Sequence, residues 1–334
     1  MPKPTVVLFA TGGTIAMNTP SGPSAGGGGG GAMPALTGAD LVKAVPALKR
    51  VADVEYEQVC NVPGPSIRFE NLLDLLGRIR ERFADANVSG GVVTHGTDTI
   101  EETAYFLDLV LGRGKPVVVT GAMRHAGLLS SDGPANLYQS VKVAASPEAV
   151  DRGALVVLNG TIHAAAEVTK LNTQSVETFH SPDFGPIGGV FEERVVFVRS
   201  PRRRRALPVT AITHKVAMVK MAVDPDPEFL EAIIGARPDG LVLEAVGGGH
   251  VPQTALPFID QAMRQGTRVV MCTRVPVGPL LTETYGFAGS ETDMRKRGIP
   301  FSHHNAQKTR IKLLVALEQK DPTAIEEVLA DPDW

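Results

Sequence analysis

Short apolar runs alternate with longer amphipathic stretches along most of the chain. Residues 6–10 form an apolar run that predicts a buried strand, and leucines at helical spacing in 71–83 predict an amphipathic helix. This alternation favours a mostly parallel sheet with helices on both faces. Further strands are predicted at 54–59, 91–94, 116–120 and 155–159, and further helices at 40–48, 101–111 and 136–145.

Four consecutive arginines at 202–205 interrupt this alternation. Adjacent like charges resist burial, so the run predicts an exposed linker, and a nucleic-acid patch is disfavoured because no aromatic side chains are interleaved with the arginines. We therefore divide the chain into an N-terminal domain at 1–200, a linker at 201–213 and a smaller C-terminal α/β domain at 214–334. The C-terminal domain has predicted strands at 216–221, 240–244 and 268–272 and predicted helices at 227–234, 256–265 and 307–317.

Length and composition narrow the class of protein. A chain of 334 residues is longer than a single hydrophobic core usually supports, which favours two domains. Its net charge of −3 does not suit a protein built to neutralise nucleic-acid phosphates. No apolar run reaches membrane-spanning length, and none of signal-peptide length precedes the first strand. Cys60 and Cys272 could form one disulfide, but both lie in apolar strand-like segments, which favours reduced thiols and a cytoplasmic location.

Three polar turns follow predicted strands, at residues 11–14, 94–99 and 160–170. Ligands of open parallel sheets bind beyond the carboxyl ends of the strands, so these turns could share one crevice. Each turn also has a purely structural interpretation. The pair Gly12-Gly13 matches neither the dinucleotide fingerprint nor the P-loop, Thr97-Asp98 could cap a helix, and Lys170 could be a solvated surface lysine.

Taken together, the three turns suit acyl transfer. A threonine hydroxyl is a weak nucleophile until another group accepts its proton. A relay of Thr97, Asp98 and Lys170 could provide this activation, with Lys170 either neutralised by burial or held beside Asp98. The backbone N–H groups of a glycine turn would face the developing oxyanion. No pair of histidine or acidic side chains near these turns has the helical spacing of metal ligands, so we expect no metal.

Several long motifs resemble the bacterial-type L-asparaginase family. They are TGGTIA (11–16), THGTDTIEETAYFLDL (94–109), GAMR and SSDGPANLY within 121–138, EVTKLNTQSVETF (167–179), TRVP (273–276) and NAQKTRIKLLVAL (305–317). The resemblance spans nearly the whole chain in order. It implies an α/β fold of two domains, a homotetramer made as a dimer of dimers, and hydrolysis of the small-molecule amide L-asparagine to L-aspartate and ammonia without metal or cofactor.

The resemblance also implies roles for individual residues. Thr14 matches the nucleophile that forms the acyl-enzyme, while Thr97, Asp98 and Lys170 match the polar relay. Asp98 would also bind the α-ammonium group of the substrate through a charge-assisted contact.

Other matched positions imply substrate contacts. Gly13 would contribute its backbone to the glycine turn, and Ala122 would contribute backbone contacts around the side-chain amide. The second domain of a neighbouring subunit would close each site, with His250 where the family commonly has an asparagine.

The loop at 61–67 departs from the family. Gly64 and Pro65 fall where the family has a serine followed by Gln or Glu that grip the substrate, and Ser66 comes next. A lost contact to a buried charged group is worth about 1.5–3 kcal/mol. The alternatives to L-asparagine hydrolysis are therefore the same chemistry on glutamine, D-asparagine or another ω-amide, or a catalytically weak ligand-binding protein on this scaffold.

The segment after Thr14 is a second departure. The family usually has a tyrosine there, whereas this chain has none between Ala16 and Gly38 and instead has a glycine run at 26–31. Glycine loses the most backbone entropy on ordering, so we expect a gate that closes at a cost. Tyr285 of a neighbouring subunit, or a water, would then assist Thr14. The alternative for Tyr285 is a packing role alone.

Overall fold

A computed structural model describes residues 3–18, 31–202 and 205–330. The chain forms two compact units, which divide between Ala206 and Leu207. This agrees with the predicted two-domain architecture, while the finer division at 201–213 stays a prediction. The predicted gate at 26–31 lies outside the described residues except for Gly31.

The first unit is built on an eight-stranded sheet in the order β12-β11-β8-β7-β6-β5-β1-β4. The strands β7, β6, β5, β1 and β4 run parallel, and β8, β11 and β12 add an antiparallel edge. Two short pairs, β2 with β3 and β9 with β10, lie outside this sheet. The strands of the unit are β1 (Thr5–Gly12), β2 (Met17–Asn18), β3 (Met33–Pro34), β4 (Asp53–Val62), β5 (Val88–Thr94), β6 (Val117–Thr120), β7 (Ala154–Leu158), β8 (Thr161–Ala164), β9 (Thr169–Lys170), β10 (Phe179–His180), β11 (Gly188–Phe191) and β12 (Arg194–Phe197).

The parallel strands inside the sheet are buried on both faces, which is why their sequences are largely apolar, whereas β4 at the sheet edge is polar and has no fully buried residue. In β1, the four side chains from Val6 to Phe9 are completely buried. The helices of this unit are α1 (Gly38–Ala44), α2 (Leu48–Val51), α3 (Phe69–Phe83), α4 (Ile100–Leu111) and α5 (Gly133–Ala144).

The single helix predicted at 40–48 is wrong, because the segment forms α1 and α2 separately. The first helix begins at a capping box in which Asp40 N donates to Thr37 Oγ1 at 3.3 Å and Thr37 N donates to Asp40 Oδ2 at 2.9 Å. It ends before Val45-Pro46, since proline has no N–H to continue the ladder and disfavours a helical residue before it.

The antiparallel edge of the sheet was not predicted. The segment 160–170, interpreted as a simple connection, contains β8, which pairs with β7 through the two-residue turn Asn159-Gly160. Both turn residues have positive φ, 50° and 74°, as a tight hairpin turn requires. The Asn-Gly pair is a strong hairpin signal that the interpretation missed. Lys170 therefore comes after an antiparallel strand rather than directly after a parallel one.

The second unit is a three-stranded parallel sheet in the order β13-β14-β15, flanked by helices. The prediction missed α8 and α10. Its elements are β13 (Val216–Lys220), β14 (Gly240–Ala245), β15 (Arg268–Thr273), α6 (Pro227–Gly235), α7 (Leu256–Arg264), α8 (Glu291–Lys296), α9 (Ala306–Leu317) and α10 (Pro322–Ala330).

The two cysteines and the helix lengths complete the description of the fold. Neither cysteine forms a disulfide: Cys272 is buried in β15, and Cys60 is partly exposed in β4, where its thiol donates to Thr11 O at 3.3 Å. Among the described residues, no helix has the length and apolar character needed to cross a bilayer.

Candidate active site

Three glycines bring three loops of the first unit into backbone contact. A Cβ atom added to Gly13 would lie 2.3 Å from Gly96 N, and one added to Gly96 would lie 2.5 Å from both the Cα and N atoms of Gly64. Real Cβ atoms do not approach backbone this closely, so only glycine fits at these positions. We call Gly13, Gly96 and Gly64 the glycine stack. It joins the turns after β1, β5 and β4.

Hydrogen bonds fix the register of the stacked loops. Gly13 N donates to Val62 O at 3.0 Å, which ties the turn after β1 to the end of β4. Thr99 Oγ1 donates to Gly64 O at 2.9 Å, which ties the turn after β5 to the same loop. Both bonds satisfy backbone groups that no sheet ladder reaches.

Thr14 follows the stack directly. Gly13 has φ 79° and ψ −178°, a conformation that favours glycine, and a single 3-10 turn then runs from Thr14 to Ala16. Thr14 is partly exposed, while its neighbour Ile15 is buried. Its hydroxyl makes no hydrogen bond to another described residue. The structure therefore does not join Thr14 to the predicted relay through a hydrogen bond within the described ranges.

Lys170 connects the other predicted catalytic residues. Its Nζ donates to Thr97 Oγ1 at 3.0 Å and to Asp98 Oδ1 at 2.7 Å. The lysine side chain is 17% exposed and that of Asp98 is 60% exposed, whereas Thr97 is buried. Because the ammonium donates to Thr97, that hydroxyl keeps its own proton free to donate elsewhere. The structure thus holds Lys170 beside Asp98, which is one of the two predicted alternatives.

A short hairpin holds Lys170 in place. Lys170 pairs with Phe179 in the antiparallel strand pair β9–β10. Three residues upstream, Glu167 accepts two hydrogen bonds from the guanidinium of Arg199, one of them at 3.0 Å from Nη1. A bidentate pair of this kind fixes orientation as well as distance.

His95 supports the turn that carries Thr97 and Asp98, and the sequence analysis assigned it no role. The imidazole is completely buried, with Nδ1 2.9 Å from Gly96 O and Nε2 2.9 Å from Thr103 Oγ1. A carbonyl only accepts, so Nδ1 carries the hydrogen and Nε2 accepts from the threonine. Burial lowers the pKa of His95 to about 4, against an opposing effect of the hydrogen bond to Gly96. The ring is therefore neutral at pH 7.

Asp132 and Asn136 hold the loop that contains Ala122. The Asp132 carboxylate accepts from Met123 N at 3.0 Å and from Arg124 N at 2.8 Å, and Asn136 Nδ2 donates to Gly121 O at 3.0 Å. Ala122 is completely buried. The same loop packs on the relay, because a Cβ added to Gly121 would lie 3.3 Å from Thr97 Cγ2. Asp132 and Asn136 both lie in the SSDGPANLY motif, but their roles depend on contacts with residues outside that motif.

The loop at 61–67, which departs from the family, contributes Gly64 to the glycine stack. Gly64 begins a 3-10 turn that ends at Ser66, and Ser66 N donates to Pro63 O at 2.9 Å. Pro65 and Ser66 are exposed. Pro65 offers no N–H and no polar side chain, so of the two residues only Ser66 has a side-chain donor.

In the second unit, His250 lies in an aromatic cluster. Its ring is edge-on to Tyr285 at 5.1 Å and to Phe287 at 5.2 Å between ring centroids. Its Nε2 is 3.2 Å from Oε2 of Glu291, whose side chain is completely buried. Tyr285 is 46% exposed, so its ring is not buried in the core. We call His250, Tyr285, Phe287 and Glu291 the His250 cluster.

No group of three histidine, cysteine or acidic side chains in the described part of the chain is arranged to hold a metal ion. The Lys170 ammonium bonds to both the Thr97 hydroxyl and the Asp98 carboxylate, and such a set of groups can polarise and protonate a bound carbonyl compound.

Two family models match the chain, one in each unit. The asparaginase N-terminal domain matches residues 5–203, and the glutaminase/asparaginase C-terminal domain matches residues 215–329. The chain belongs to the asparaginase family. Its members are hydrolases that act on amides, and the predicted family and two-domain α/β fold are confirmed.

Individual relatives cover almost the whole chain. L-asparaginase 2 of Escherichia coli K12 is 37% identical over 97% of this chain and 92% of its own length. The probable periplasmic L-asparaginase of Haemophilus influenzae is 36% identical over 98% and 93%. The crystal structure of a probable cytoplasmic L-asparaginase from Campylobacter jejuni superposes with a TM-score of 0.86 at 30% identity, covering 98% of this chain and 99% of that one.

Protonation of His95 predicts an acid-sensitive fold. Between pH 6.5 and 4 the unfolded chain binds a proton at His95 and the folded chain does not, so stability falls as pH falls through this window. From pH 7 to pH 5, His95 should contribute a loss of about 2 kcal/mol in the free energy of unfolding. Urea denaturation of the wild type and His95→Gln at both pH values measures this difference.

The expected result is a smaller loss of stability between pH 7 and pH 5 for His95→Gln than for the wild type. The control is His214→Gln, a partly exposed histidine of the second unit, which tests whether loss of any histidine has the same effect. If His95→Gln and the wild type lose the same free energy of unfolding between pH 7 and pH 5, protonation of His95 does not cause the acid sensitivity.

Proposed function

We propose that this protein hydrolyses L-asparagine to L-aspartate and ammonia through an acyl-threonine intermediate on Thr14. The observation that carries the proposal is the Lys170–Thr97–Asp98 hydrogen-bonded group, held in the same set of loops that presents Thr14 on the glycine stack. Family membership and the names of the relatives support the same reaction. The protein would thus act in asparagine metabolism.

In the proposed reaction, Thr14 Oγ attacks the carbonyl carbon of the side-chain amide and loses its proton. The tetrahedral oxyanion would be stabilised by the backbone N–H of Ala122 and by N–H groups of the glycine turn other than that of Gly13, which already donates to Val62 O. The C–N bond then breaks, and the nitrogen leaves as ammonia after receiving one proton. Water attacks the resulting ester and releases the carboxylate and the free Thr14 hydroxyl, so that atoms and protons balance.

The relay has a proposed role in both half-reactions. Lys170 donates to Thr97 Oγ1, so the Thr97 proton can point toward the leaving nitrogen or the attacking water. The exposed Asp98 carboxylate keeps an oxygen for the α-ammonium group of the substrate while its other oxygen accepts from Lys170.

The group that accepts the Thr14 proton is either Tyr285 of a neighbouring subunit or a water. The partial exposure of Tyr285 supports the first, since the phenol is open to another molecule. Turnover of the Tyr285→Phe variant distinguishes these two proton acceptors. Slower turnover than the wild type supports the tyrosine, and unchanged turnover supports the water.

We further propose a homotetramer, built as a dimer of dimers, in which the His250 cluster of one subunit completes the site of its neighbour. The proposal rests on the family resemblance and on the outward exposure of Tyr285 and Phe287 at 46% and 51%. Exposed aromatic side chains beside a polar group are common where a second molecule binds.

Mixed oligomers test this sharing of the site. Chains with Thr14→Ala and chains with His250→Ala, co-expressed with different tags, should form mixed oligomers in which some sites combine an intact Thr14 with an intact His250. These should hydrolyse dilute L-asparagine faster than either parent oligomer. Mixed oligomers no more active than the parents would contradict the shared site.

Glutamine is the second candidate substrate. A glutaminase-asparaginase from Pseudomonas fluorescens biotype A is 33% identical over 93% of this chain and 86% of its own length. The Gly64-Pro65 pair also lacks the two polar side chains with which the family grips its substrate, so this loop does not fix the choice between asparagine and glutamine. D-Asparagine and other ω-amides follow from the same chemistry.

A cytoplasmic location is proposed because Cys60 and Cys272 form no disulfide, which suits a reducing compartment. The names of the relatives differ on this point, since one is called probably cytoplasmic and another periplasmic. Fractionation of the native host, with activity followed in each fraction, tests the location.

Replacing the nucleophile tests the reaction itself. Thr14→Ala should release ammonia from L-asparagine at least 10³-fold more slowly than the wild type, because no acyl-enzyme can form. L-Asparagine, D-asparagine, L-glutamine and succinamate, assayed side by side, rank the substrates. The matched control is Thr161→Ala, a threonine in β8 with no proposed catalytic role, which should retain turnover. Equal ammonia release by Thr14→Ala and the wild type would contradict the proposed function.

A further inference from the structure

A single guanidinium holds both ends of the hairpin that carries Lys170. Before the β9–β10 hairpin, Glu167 accepts from Nη1 of Arg199 at 3.0 Å and also from its Nη2. After the hairpin, Gly185 O accepts from the same Nη2 at 2.5 Å. The side chain of Arg199 therefore bridges the segments that enter and leave the hairpin. We call the contacts of Arg199 with Glu167 and Gly185 the Arg199 clamp.

Backbone contacts connect the second end of the clamp to the hairpin. Gly185 N donates to the carbonyl of Ser181 at 2.8 Å, and Ser181 directly follows β10. Ser181 is buried, and its Oγ lies 2.9 Å from Nδ1 of the buried His163 in β8. A displacement of Gly185 would therefore be passed to β10, the strand that pairs with Lys170.

The backbone of Arg199 is fixed at the edge of the main sheet. Arg199 comes two residues after β12, and its neighbour Val198 donates from its N–H to the carbonyl of the completely buried Ile187 at 2.9 Å. Arg199 O accepts from Nη1 of Arg152 at 3.1 Å, and the guanidinium of Arg152 lies 4.1 Å from the ring centroid of Phe197. The base of the clamp is thus attached to the sheet on which the rest of the site is built.

The clamp depends on the shape of a guanidinium. The side chain of Glu167 is 14% exposed and that of Arg199 is 29% exposed, so the ion pair is largely shielded from water. A planar guanidinium presents several N–H donors in fixed directions and can serve a carboxylate and a carbonyl at the same time. The ammonium group of a lysine is a compact charge on a flexible chain and does not reproduce this fork.

We propose that Arg199 and Glu167 are positioning residues for Lys170 in the relay. The Arg199 clamp keeps Lys170 Nζ where it donates to Thr97 Oγ1 at 3.0 Å and to Asp98 Oδ1 at 2.7 Å. The proposal rests on the proposed function. Thr97 and Asp98 are placed by the glycine stack, whereas Lys170 reaches them from a separate hairpin. The geometry of the relay therefore needs a second set of contacts, which the clamp supplies.

The substitution Arg199→Lys keeps the charge but removes the two-ended clamp. It should lower kcat for L-asparagine about tenfold, because a small displacement of a catalytic group is costly. KM should stay within about threefold of the wild type, because the glycine stack still places Asp98 for the α-ammonium group of the substrate. Steady-state ammonia release over a range of substrate concentrations measures both constants, and Thr14→Ala supplies the background rate.

Two further variants separate positioning from a merely structural role. In a double-mutant cycle, adding Arg199→Lys to Lys170→Ala should lower kcat less than twofold further, because the clamp acts through Lys170. A structural role would lower kcat by the same factor in both backgrounds. Glu167→Gln removes one end of the clamp with little change of shape and should lower kcat about threefold, so it tests the proposal even if Arg199→Lys does not fold.

The matched control is Arg82→Lys in α3. Arg82 also pairs with two carboxylates, those of Glu55 and Glu57, and its side chain is 24% exposed. This variant should keep the wild-type kcat, and a loss equal to that of Arg199→Lys would overturn the proposal. So would a wild-type kcat in Arg199→Lys or Glu167→Gln, or an equal loss in the Lys170→Ala background. If the wild type releases no Thr14-dependent ammonia, the proposed function itself fails instead.

Discussion

The site in the first unit depends on a close approach of three backbone segments. Side chains at the contact points would prevent this approach. Gly13, Gly96 and Gly64 lie so close together that an added Cβ would overlap backbone atoms, which cannot rotate aside. This contact lets the turns after three parallel strands converge at one edge of the sheet. Thr14, Thr97 and Asp98 are each within two residues of a stacked glycine, so their relative placement follows from backbone packing rather than from the flexible ends of side chains.

The second unit applies a different principle. There a single buried carboxylate, Glu291, organises a turn and an imidazole through charged hydrogen bonds. Backbone packing gives the first unit a fixed position for chemistry, while the charge pairing of the second unit selects an orientation of His250.

Much of this could be predicted from the sequence where the signal is local. Strand β1, which is buried on both faces, and the long helices have apolar patterns that predict them correctly. The predicted residues Thr97, Asp98 and Lys170 lie within hydrogen-bond distance of one another through Lys170. The antiparallel edge was missed because its strands are short, although Asn159-Gly160 signalled the first hairpin. His95, Asp132 and Glu291 bond mostly to groups within ten residues along the chain, but through loop contacts that follow neither helix nor strand spacing. No periodic pattern therefore distinguishes them from ordinary polar residues.

The glycine stack is tested most directly by Gly96→Ala, compared with Gly77→Ala on the exposed face of α3, where an added Cβ meets nothing within 4 Å. Thermal unfolding and turnover of L-asparagine would be measured for both. Our account predicts that Gly96→Ala loses several kcal/mol of stability and about 100-fold in turnover, because the turn carrying Thr97 must move. Gly77→Ala should keep its turnover and gain about 1 kcal/mol. Wild-type stability and turnover in Gly96→Ala would contradict the account.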